Sequence, residues 1–417
     1  MSKQFLIFGL FILIVEYYSF IAVRSALRHT SSGFQLGMYI IYGALSLAVL
    51  WSFYAMPHWF RTAWPSLTLK YTVNILIGVF LGKILIAAIL LLTDIIMIIP
   101  NIINFFFSFK GHPVGSPPEG SRFISRFTFI LQTALFMGAA LTSGLIYGMT
   151  NRYSYKIRRV LVHLKDLPEG FKGLKIAQIS DIHSGSFDDP EAVSEGVASI
   201  LKEKPDLILF TGDLVNNKAE EIVPYIDVFK VLKAPLGVYS ILGNHDYGDY
   251  VSWSTDEAKK QNLEQLKQHH DSMGWRLLVN EHVILERNNQ QIALIGIENW
   301  GARGFTKYGD MKKAVAGLED SDIPVKILMS HDPSHWDAQV RKEYQDIALT
   351  LSGHTHGMQF GIEIPGFKWS PVQYLYKQWA GLYQEQDQFL YVNRGFGFLG
   401  YQGRLGILPE ITIIELT

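Results

Sequence analysis

The hydrophobic positions of this 417-residue chain follow two different patterns. In the first 150 residues they form four runs of about 20 residues, which is the length that a helix needs to cross a bilayer. The runs are Phe5–Val23, Met38–Met56, Val73–Ile99 and Phe127–Tyr147. Polar connectors separate them, and the longest, near Asn101–Arg126, has the Gly and Pro content of a loop. The pattern predicts a bundle of four transmembrane helices over residues 1–150 rather than a cleavable signal peptide, whose apolar region is shorter.

From residue 174 onward, short apolar runs alternate with helical patterns. The predicted strands are Leu174–Ile179, Leu207–Phe210, Val238–Leu242, Ile292–Ile297, Val325–Met329, Ile347–Leu351, Phe389–Val392 and Ile411–Leu416. The predicted helices are Pro190–Glu203, Lys218–Leu232 and Thr255–Met273. This alternation predicts an α/β domain over residues 174–417, with sheets covered by helices. A basic linker over residues 151–173 is expected to join it to the membrane region.

Charge separates the same two regions. Residues 1–150 hold nine Lys or Arg and three Asp or Glu, whereas residues 151–417 hold 28 and 35. An acidic second region argues against nucleic acid as a partner, because a surface that binds nucleic acid is basic. The chain has no Cys, which excludes a disulfide scaffold, Cys₄ zinc sites and cysteine-ligated iron–sulfur sites.

Lys and Arg in the connectors favour a cytoplasmic second region. With both ends of the chain inside, eight such residues lie inside and five outside. The inside set is Lys3, Arg61, Lys70, Arg152, Lys156, Arg158, Arg159 and Lys165, and the outside set is Arg24, Arg28, Lys110, Arg122 and Arg126. Within the predicted spans lie Glu16, Lys83 and Asp94, although charge is costly in lipid. They are interpreted as interhelical pairs or snorkelling side chains, with an ion or proton path as the alternative.

Polar residues of metal-binding types follow five of the predicted strands. The blocks are Asp181-Ile182-His183, Thr211-Gly212-Asp213, Gly243-Asn244-His245-Asp246, His331-Asp332 and Gly353-His354-Thr355-His356. Ligands of open α/β sheets gather outside the carboxyl ends of strands, so the blocks are expected to converge. Two Asp, one Asn and four His are too many for one tetrahedral ion and fit two ions that share a bridging carboxylate. The mixture of oxygen and imidazole donors favours Mn, Fe or Zn.

The blocks "SDIH", "TGDLVNN", "LGNHD", "SHDP" and "SGHTHG" resemble, in this order, the calcineurin-like metallophosphoesterase superfamily over Lys175–Thr417. The ending "NRGFGFLGYQGRLGILPEITIIEL" resembles its bacterial membrane-attached branch, which includes proteins similar to UDP-2,3-diacylglucosamine hydrolases and to a transmembrane metallophosphoesterase of animals. The resemblance implies a four-layer αββα fold, in which a two-sheet sandwich is flanked by helices. It also implies an enzyme in which a metal-bound hydroxide attacks phosphorus.

The resemblance implies a role for each residue of the blocks. The first metal would be held by Asp181, His183, Asp213 and His356, and the second by Asp213, Asn244, His331 and His354. His245 would contact the phosphate and assist the leaving group. Asp246 and Asp332 adjoin ligands and are predicted to orient them. The chain departs from the family pattern at Leu214-Val215-Asn216-Asn217 and at Gly357-Met358-Gln359, which leaves the ligands intact but puts phosphate-side contacts in doubt.

Several other side chains have two interpretations. The segment Phe360–Tyr383 is rich in aromatic residues, which are Phe360, Phe367, Trp369, Tyr374, Tyr376, Trp379 and Tyr383. They form either a rim that receives lipid tails or lies on the bilayer, or an ordinary core. Trp300 and Gly301–Gly304 are a second candidate rim loop. His335 is a candidate substrate contact, whereas His269 and His270 are predicted to be solvated on a helix.

The leading function prediction is a membrane-anchored, two-metal phosphoesterase of the bacterial inner membrane, with a cytoplasmic catalytic domain. The anchor and the aromatic segment favour a phosphorylated, lipid-linked substrate such as UDP-2,3-diacylglucosamine. The alternatives are a phosphodiesterase or phosphatase that acts on soluble nucleotides or proteins, a non-catalytic sensor that binds metal or phosphate, and a transport unit regulated by the second domain.

Overall fold

The computed structural model describes residues 3–61, 66–107, 126–318 and 321–417. The chain forms two compact units, Met1–Tyr147 and Gly148–Thr417. The helices of the first unit are α1 (Lys3–Leu27), α2 (Ser32–Arg61), α3 (Leu67–Phe107) and α4 (Arg126–Gly148). Each contains a stretch long and apolar enough to cross a membrane, which confirms the four predicted helices. The predicted loop near Asn101–Arg126 begins later than expected, because α3 continues to Phe107, and its remaining part, residues 108–125, lies outside the described residues.

A half-buried ion pair links α1 and α3. Lys83 Nζ lies 2.9 Å from Glu16 Oε1 and donates to Ser46 Oγ at 2.7 Å. Tyr18 of α1 donates its hydroxyl to Asp94 of α3 at 2.8 Å. Each of the three intramembrane charges therefore has a partner on another helix, which favours interhelical pairing over an ion path.

The second unit is built on two six-stranded sheets. Its strands are β1 (Lys156–Val162), β2 (Lys175–Ile179), β3 (Leu207–Phe210), β4 (Val238–Ser240), β5 (Arg276–Leu277), β6 (Glu281–Arg287), β7 (Gln290–Gly296), β8 (Lys326–Met329), β9 (Ile347–Ser352), β10 (Ile362–Ile364), β11 (Phe367–Trp369), β12 (Gly381–Glu385), β13 (Gln388–Val392) and β14 (Glu410–Leu416). The sheet orders are β1-β14-β2-β3-β4-β5 and β12-β13-β9-β8-β7-β6, and β10 and β11 form a separate hairpin. Both sheets mix parallel and antiparallel pairs.

Helices cover the outer faces of the sheets. They are α5 (Pro190–Lys202), α6 (Ile226–Phe229), α7 (Asp256–Ser272), α8 (Met311–Val315) and α9 (Arg341–Glu343). Phe210 of β3 packs in one apolar cluster with Leu266 of α7, and Leu328 of β8 packs in another with Met311 of α8. The neighbouring Leu209 points the other way, into a cluster shared by both sheets. Successive strand residues thus alternate between the two layers of core, which confirms the αββα sandwich.

The structure differs from the predicted linker at β1, which lies within residues 151–173. Its residues 156–162 pair in parallel with 410–416 and form the edge of the first sheet. Only Val162 of this strand is buried, and Arg159 instead forms an ion pair with Glu203 at 2.6 Å. An edge strand with one solvated face carries charged residues, so its sequence lacks the apolar run used to predict the other strands.

The predicted helix Lys218–Leu232 is also different in detail. The chain forms a 3₁₀ segment over Ala219–Tyr225, which continues into the short helix α6. Pro224 lies inside the segment and has no N–H to donate, which disfavours a continuous α-helix at this point.

Candidate metal centre

The structure brings the five polar blocks together at strand ends. Asp181 and His183 follow β2, Asp213 follows β3, Asn244 and His245 follow β4, His331 follows β8, and His354 and His356 follow β9. Two groups of side chains result, each with its potential ligand atoms within 4.8 Å of one another: Asp181, His183 and His356, and Asp213, His331 and His354. Both sheets contribute, so the centre lies where the carboxyl ends of their parallel strands meet.

Asp213 lies between the two groups. Its Oδ2 atom is 3.5 Å from His183 Nε2 and 3.1 Å from His331 Nε2. His331 Nε2 is also 4.0 Å from Asp181 Oδ1. One carboxylate oxygen thus reaches a histidine of each group, which is the arrangement that a ligand shared by two ions requires.

The nitrogen atoms of the centre fit divalent ions. Nε2 of His183, His331 and His356 is buried and makes no well-aligned hydrogen bond among the residues that the structure describes, although His331 and His356 lie 3.1 and 3.3 Å from carboxylate oxygens. Buried polar atoms in folded proteins are nearly always paired, so three such atoms beside two carboxylates indicate a place for a cation. Imidazole and carboxylate donors together suit first-row transition metals.

Outer hydrogen bonds determine which histidine nitrogen faces the centre. His331 Nδ1 lies 2.7 Å from the carbonyl oxygen of Thr211 and donates to it, which leaves Nε2 as the free nitrogen. His354 is turned the opposite way, with Nε2 2.8 Å from the Tyr376 hydroxyl and Nδ1 2.7 Å from Asn244 Oδ1. Asn244 therefore joins the second group. The sequence marked Tyr376 only as one aromatic among seven.

Backbone strain is concentrated at the centre. The residues Asp181, His183, Asp213, His354 and His356 all have φ between 48° and 71°. Residues other than Gly rarely adopt this left-handed region, at a cost of about 1 kcal/mol or more each. These conformations occur where each strand turns sharply at its end, and strain of this kind is typical of functional sites.

Two glycines allow the backbone to approach the carboxylates. A Cβ atom at Gly353 would lie 2.2 Å from Asp181 Oδ2, and one at Gly243 would lie 2.2 Å from Asp213 Oδ1. With Gly353 in place, the N–H of His354 donates to Asp181 Oδ1 at 2.9 Å. Each carboxylate is thereby fixed by the neighbouring block.

Burial and charge set the protonation states. Burial lowers the pKa of His183, His354 and His356, which favours the neutral imidazole that binds metals. Burial would also lower the pKa of His331, but the carboxylate of Asp213 outweighs it and raises that pKa to about 10. Burial would raise the pKa of Asp213, but nearby histidines, His331 first, hold it well below its usual range. A cation at His331 Nε2 must therefore displace a proton.

His245 lies half-buried at the edge of the centre, with its ring centroid 4.9 Å from that of His183. Its backbone N–H donates to Asp213 Oδ1 at 2.8 Å, and its Nδ1 donates to the Asn216 carbonyl oxygen at 2.8 Å. The carbonyl holds Nδ1, so Nε2 is the nitrogen left for other partners. Asn216 belongs to one of the two departures from the family pattern, and the structure places it behind His245.

Asp246 organises two of the blocks. Its carboxylate accepts hydrogen bonds from the backbone N–H groups of Gly243, Asp213, Leu214 and Val215, at 2.8 to 3.2 Å. It thus fixes the turns that carry Asp213 and Asn244. Asp332 Oδ2 lies 3.8 Å from Nε2 of His354, on the side of the ring where Tyr376 also lies.

Two histidines outside the blocks are core residues. His335 is buried, with Nδ1 2.9 Å from Ser330 Oγ and Nε2 3.0 Å from Gln339 Oε1, so both of its nitrogens are occupied within the fold. The prediction that His270 is solvated is wrong, because this residue is fully buried. It lies four residues after Leu266 in α7 and therefore shares the helix face that packs on the sheet.

Arg404 supports the first group, and sequence reasoning assigned it no role. It is fully buried, with Nη2 3.3 Å from His356 Nδ1 and Nη1 donating to the His356 and Arg394 carbonyl oxygens at 3.2 and 2.7 Å. The N–H of Gly397 donates to the Asp181 carbonyl oxygen at 2.9 Å. The sequence offers one signal for this role, which is that Arg404 is a single Arg within the Gly-rich stretch "GYQGRLG". The guanidinium of a buried Arg has five N–H donors and needs many acceptors around it.

Aromatic side chains surround the second group. The ring of Phe305 lies 4.9 Å from that of His354, and the ring of Tyr250 lies 4.5 Å from that of His245. The guanidinium carbon of Arg303 lies 5.1 Å from the Tyr376 ring centroid. Phe305 and Arg303 belong to the loop that follows Trp300, so this loop forms part of the rim of the centre.

Known proteins match both units of the chain. Residues 174–358 match the family model of calcineurin-like phosphoesterase, and residues 2–152 match that of the transmembrane domain of a probable calcineurin-like phosphoesterase. The chain is 30% identical over 254 residues to the uncharacterized metallophosphoesterase YkuE of Bacillus subtilis (strain 168), covering 60% of this chain and 81% of that protein.

Two further relatives extend this likeness. Phosphodiesterase YaeI of Escherichia coli (strain K12) is 29% identical over 296 residues, which cover 70% of this chain and 99% of that protein. A transmembrane protein with metallophosphoesterase domain from Danio rerio is 31% identical over 282 residues, which cover 65% of this chain and 60% of the relative's length. The chain therefore belongs to the calcineurin-like phosphoesterase family of metal-dependent phosphoester hydrolases, and its four apolar helices make it an integral membrane member.

Proposed function

We propose that this protein is a two-metal hydrolase that cleaves a phosphoester or pyrophosphate bond of a lipid-linked substrate at the membrane. The observation that carries the proposal is the position of Asp213 Oδ2, within 3.5 Å of a histidine nitrogen in each of the two groups. A buried carboxylate between two sets of imidazole nitrogens is suited to hold two cations a short distance apart.

The proposed ligands follow from the two groups. Asp181, His183, His356 and Asp213 hold the first ion, and Asp213, Asn244, His331 and His354 hold the second. Mn, Fe or Zn is the expected metal, because the donors are a mixture of carboxylate, amide and imidazole. When bound, two such ions supply positive charge for the phosphoryl oxygens and lower the pKa of water.

The remaining chemistry belongs to side chains of the protein. The carbonyl oxygen of Asn216 accepts the Nδ1–H of His245 and orients the ring, so that in its doubly protonated form the ring contacts the phosphate through Nε2–H and gives that proton to the leaving oxygen, which leaves the neutral Nδ1–H imidazole. The Tyr376 hydroxyl and the Asp332 carboxylate keep His354 turned with Nδ1 toward Asn244. Arg404 holds His356 and the strand end that carries Asp181.

Three features support a lipid-linked substrate, of which UDP-2,3-diacylglucosamine is the named candidate. Four helices anchor the chain in a membrane, so its substrate is expected there. Phe305 and Tyr250 line the second group with apolar surface, and Arg303 beside them can pair with a second anionic group of the substrate. The proposed location is the bacterial inner membrane with the second unit in the cytoplasm. A soluble phosphodiester is the second candidate, and the name of phosphodiesterase YaeI favours phosphodiester cleavage.

The test is hydrolysis by the purified, detergent-solubilised full chain with added manganese. Bis-p-nitrophenyl phosphate and UDP-2,3-diacylglucosamine are compared side by side. Asp213→Asn removes the proposed bridge, and Asp271→Asn, at an exposed position of α7, is the matched control. Turnover that is lost only in Asp213→Asn supports the hydrolase, and preference for the lipid supports the substrate. Absence of turnover of both compounds in folded, metal-loaded protein contradicts the proposal.

A further inference from the structure

The hairpin formed by β10 and β11 exposes its apolar face. In its register Ile362 lies opposite Trp369, and Ile364 lies opposite Phe367, so these four side chains share one face. Ile362, Ile364 and Phe367 are 50%, 58% and 52% exposed. A soluble hairpin normally turns such a face toward the core, because burial of apolar surface stabilises the fold.

The polar face of the same hairpin is the one that contacts the protein. Glu363 accepts hydrogen bonds from Arg158 and Arg394, at 2.6 and 2.8 Å. On the opposite strand, Lys368 donates to the Ala380 carbonyl oxygen and lies 4.9 Å from the Tyr383 ring centroid. The ion pairs on one side hold the hairpin in this inverted orientation, so the exposure of the other side is built into the fold.

Exposed apolar side chains are concentrated around this hairpin. Among the described residues of 148–417, the large exposed apolar side chains are Leu161, Val223, Val231, Tyr250, Ile284, Met358, Ile362, Ile364, Phe367, Tyr374 and Leu375. Six of these eleven lie between residues 358 and 375. Tyr374 is 74% exposed, and its hydroxyl lies 3.4 Å from Trp369 Nε1, which joins it to the hairpin. We name Ile362, Ile364, Phe367, Tyr374 and Leu375 the apolar patch.

Two backbone hydrogen bonds connect the hairpin to the end of the last candidate span. The N–H of Gly361, just before β10, donates to the Leu405 carbonyl oxygen at 2.9 Å, and the N–H of Arg404 donates to the Gly148 carbonyl oxygen at 2.8 Å. Gly148 is the first residue of the second unit, and it lies within the last candidate span, Thr128–Asn151. The segment that carries the apolar patch is thus linked, within the second unit, to a residue of the last candidate span.

We propose that the apolar patch docks on the lipid bilayer, with its side chains in the interfacial layer. The ion pairs of Glu363 hold the patch outward, and the backbone hydrogen bonds of Gly361 and Arg404 link it to a candidate membrane span, so we assign the bilayer as the surface that it meets. Tyr and Trp side chains such as Tyr374 and Trp369 prefer the membrane–water interface. The exposed Lys377 nearby adds attraction to anionic headgroups.

This docking concerns the position of the patch and is independent of turnover, so its test uses fluorescence. The chain has no Cys, which allows single labelled variants of the full protein. Phe367→Cys and Tyr374→Cys are labelled with an environment-sensitive fluorophore in vesicles of phosphatidylethanolamine and phosphatidylglycerol, with and without doxyl-labelled phospholipid. Ile284→Cys is the matched control, because Ile284 is exposed on β6, at the edge of its sheet opposite β12.

The expected result is a loss of most of the fluorescence at 367 and 374 when doxyl lipid is present, with little change at 284. Equal quenching at all three positions, or none, would overturn the proposal. A label at 367 that is shielded from aqueous iodide but not quenched by doxyl lipid would show a protein partner or a second copy there instead. Hydrolysis of bis-p-nitrophenyl phosphate by the same samples reports the chemistry separately, so a failed hydrolase does not mask the docking result.

Discussion

The hydroxyl of Tyr376 lies 2.8 Å from Nε2 of His354, and the opposite nitrogen of the same ring lies 2.7 Å from Asn244. The hydroxyl thereby directs Nδ1 of His354 toward the second group of ligands. Tyr376 reaches this position from the aromatic segment that also carries the apolar patch. This hydrogen bond thus connects the second group of ligands to the segment that carries the apolar patch.

Tyr376→Phe removes this hydrogen bond and keeps the ring. We expect it to weaken binding of the second ion by about 10- to 100-fold, since loss of a partner that orients a ligand typically has this effect. The manganese concentration that gives half-maximal hydrolysis measures the change. Tyr374→Phe, at an exposed position, is the control. An unchanged manganese dependence in Tyr376→Phe would show that the hydroxyl does not orient His354.

His245→Gln tests the role of His245 in leaving-group protonation. We expect manganese content to be retained and kcat to fall by about 10²- to 10⁴-fold, the usual contribution of a general acid. The fall should be larger for bis-phenyl phosphate than for bis-p-nitrophenyl phosphate, because phenolate is the poorer leaving group. Equal falls for both esters would restrict His245 to binding the phosphate.

Arg404→Met tests the support of the first group. The substitution leaves the carbonyl oxygens of His356, Arg394 and Gly397 without their buried donor. We expect a loss of stability of about 3 kcal/mol and a lower metal content, since removal of one member of a buried polar network is costly. Thermal unfolding and elemental analysis measure both effects. Arg276→Met, at an exposed position, is the control, and equal behaviour of the two variants would contradict the assignment.

His270 predicts how stability depends on pH. Burial lowers its pKa to about 3, whereas the unfolded chain has a histidine pKa near 6.5. Between these values the unfolded state binds the additional proton, so stability is full above about pH 6.5 and falls on acidification by up to about 1.4 kcal/mol per pH unit. His270→Phe, which keeps the contacts with Phe210 and Trp275, should flatten the dependence of the unfolding midpoint on pH between 6 and 4. The same slope in both proteins would show that other groups dominate.

The sequence was sufficient to predict the strands that carry the centre, because β2, β3, β8 and β9 are buried on both faces and appear as continuous apolar runs. The charged edge strand β1 lacked that signal. The many polar residues of α7 favour a solvated His270, whereas its spacing of four residues from Leu266 places it on the buried face of the helix. Tyr376 and Arg404 reach the centre through long-range contacts, and sequence spacing alone does not encode these.

The hairpin of β10 and β11 shows a different limit. Its residues Ile362, Ile364 and Phe367 alternate with polar ones, as in any strand with one buried face. The contacts of Glu363 and Lys368 with the rest of the domain show that the polar face is the inner one. Periodicity predicts that two faces differ, and tertiary contacts decide which of them faces outward.

The most direct test of a shared centre is the electron paramagnetic resonance spectrum of the full chain titrated with manganese. The account predicts two ions per chain and a spectrum of a spin-coupled pair at full loading, because Asp213 links them. Asp213→Asn should lower the occupancy and replace the coupled signal with that of isolated ions. A native protein that saturates at one ion, or that shows only isolated ions when two are bound, would contradict a two-metal centre bridged by Asp213.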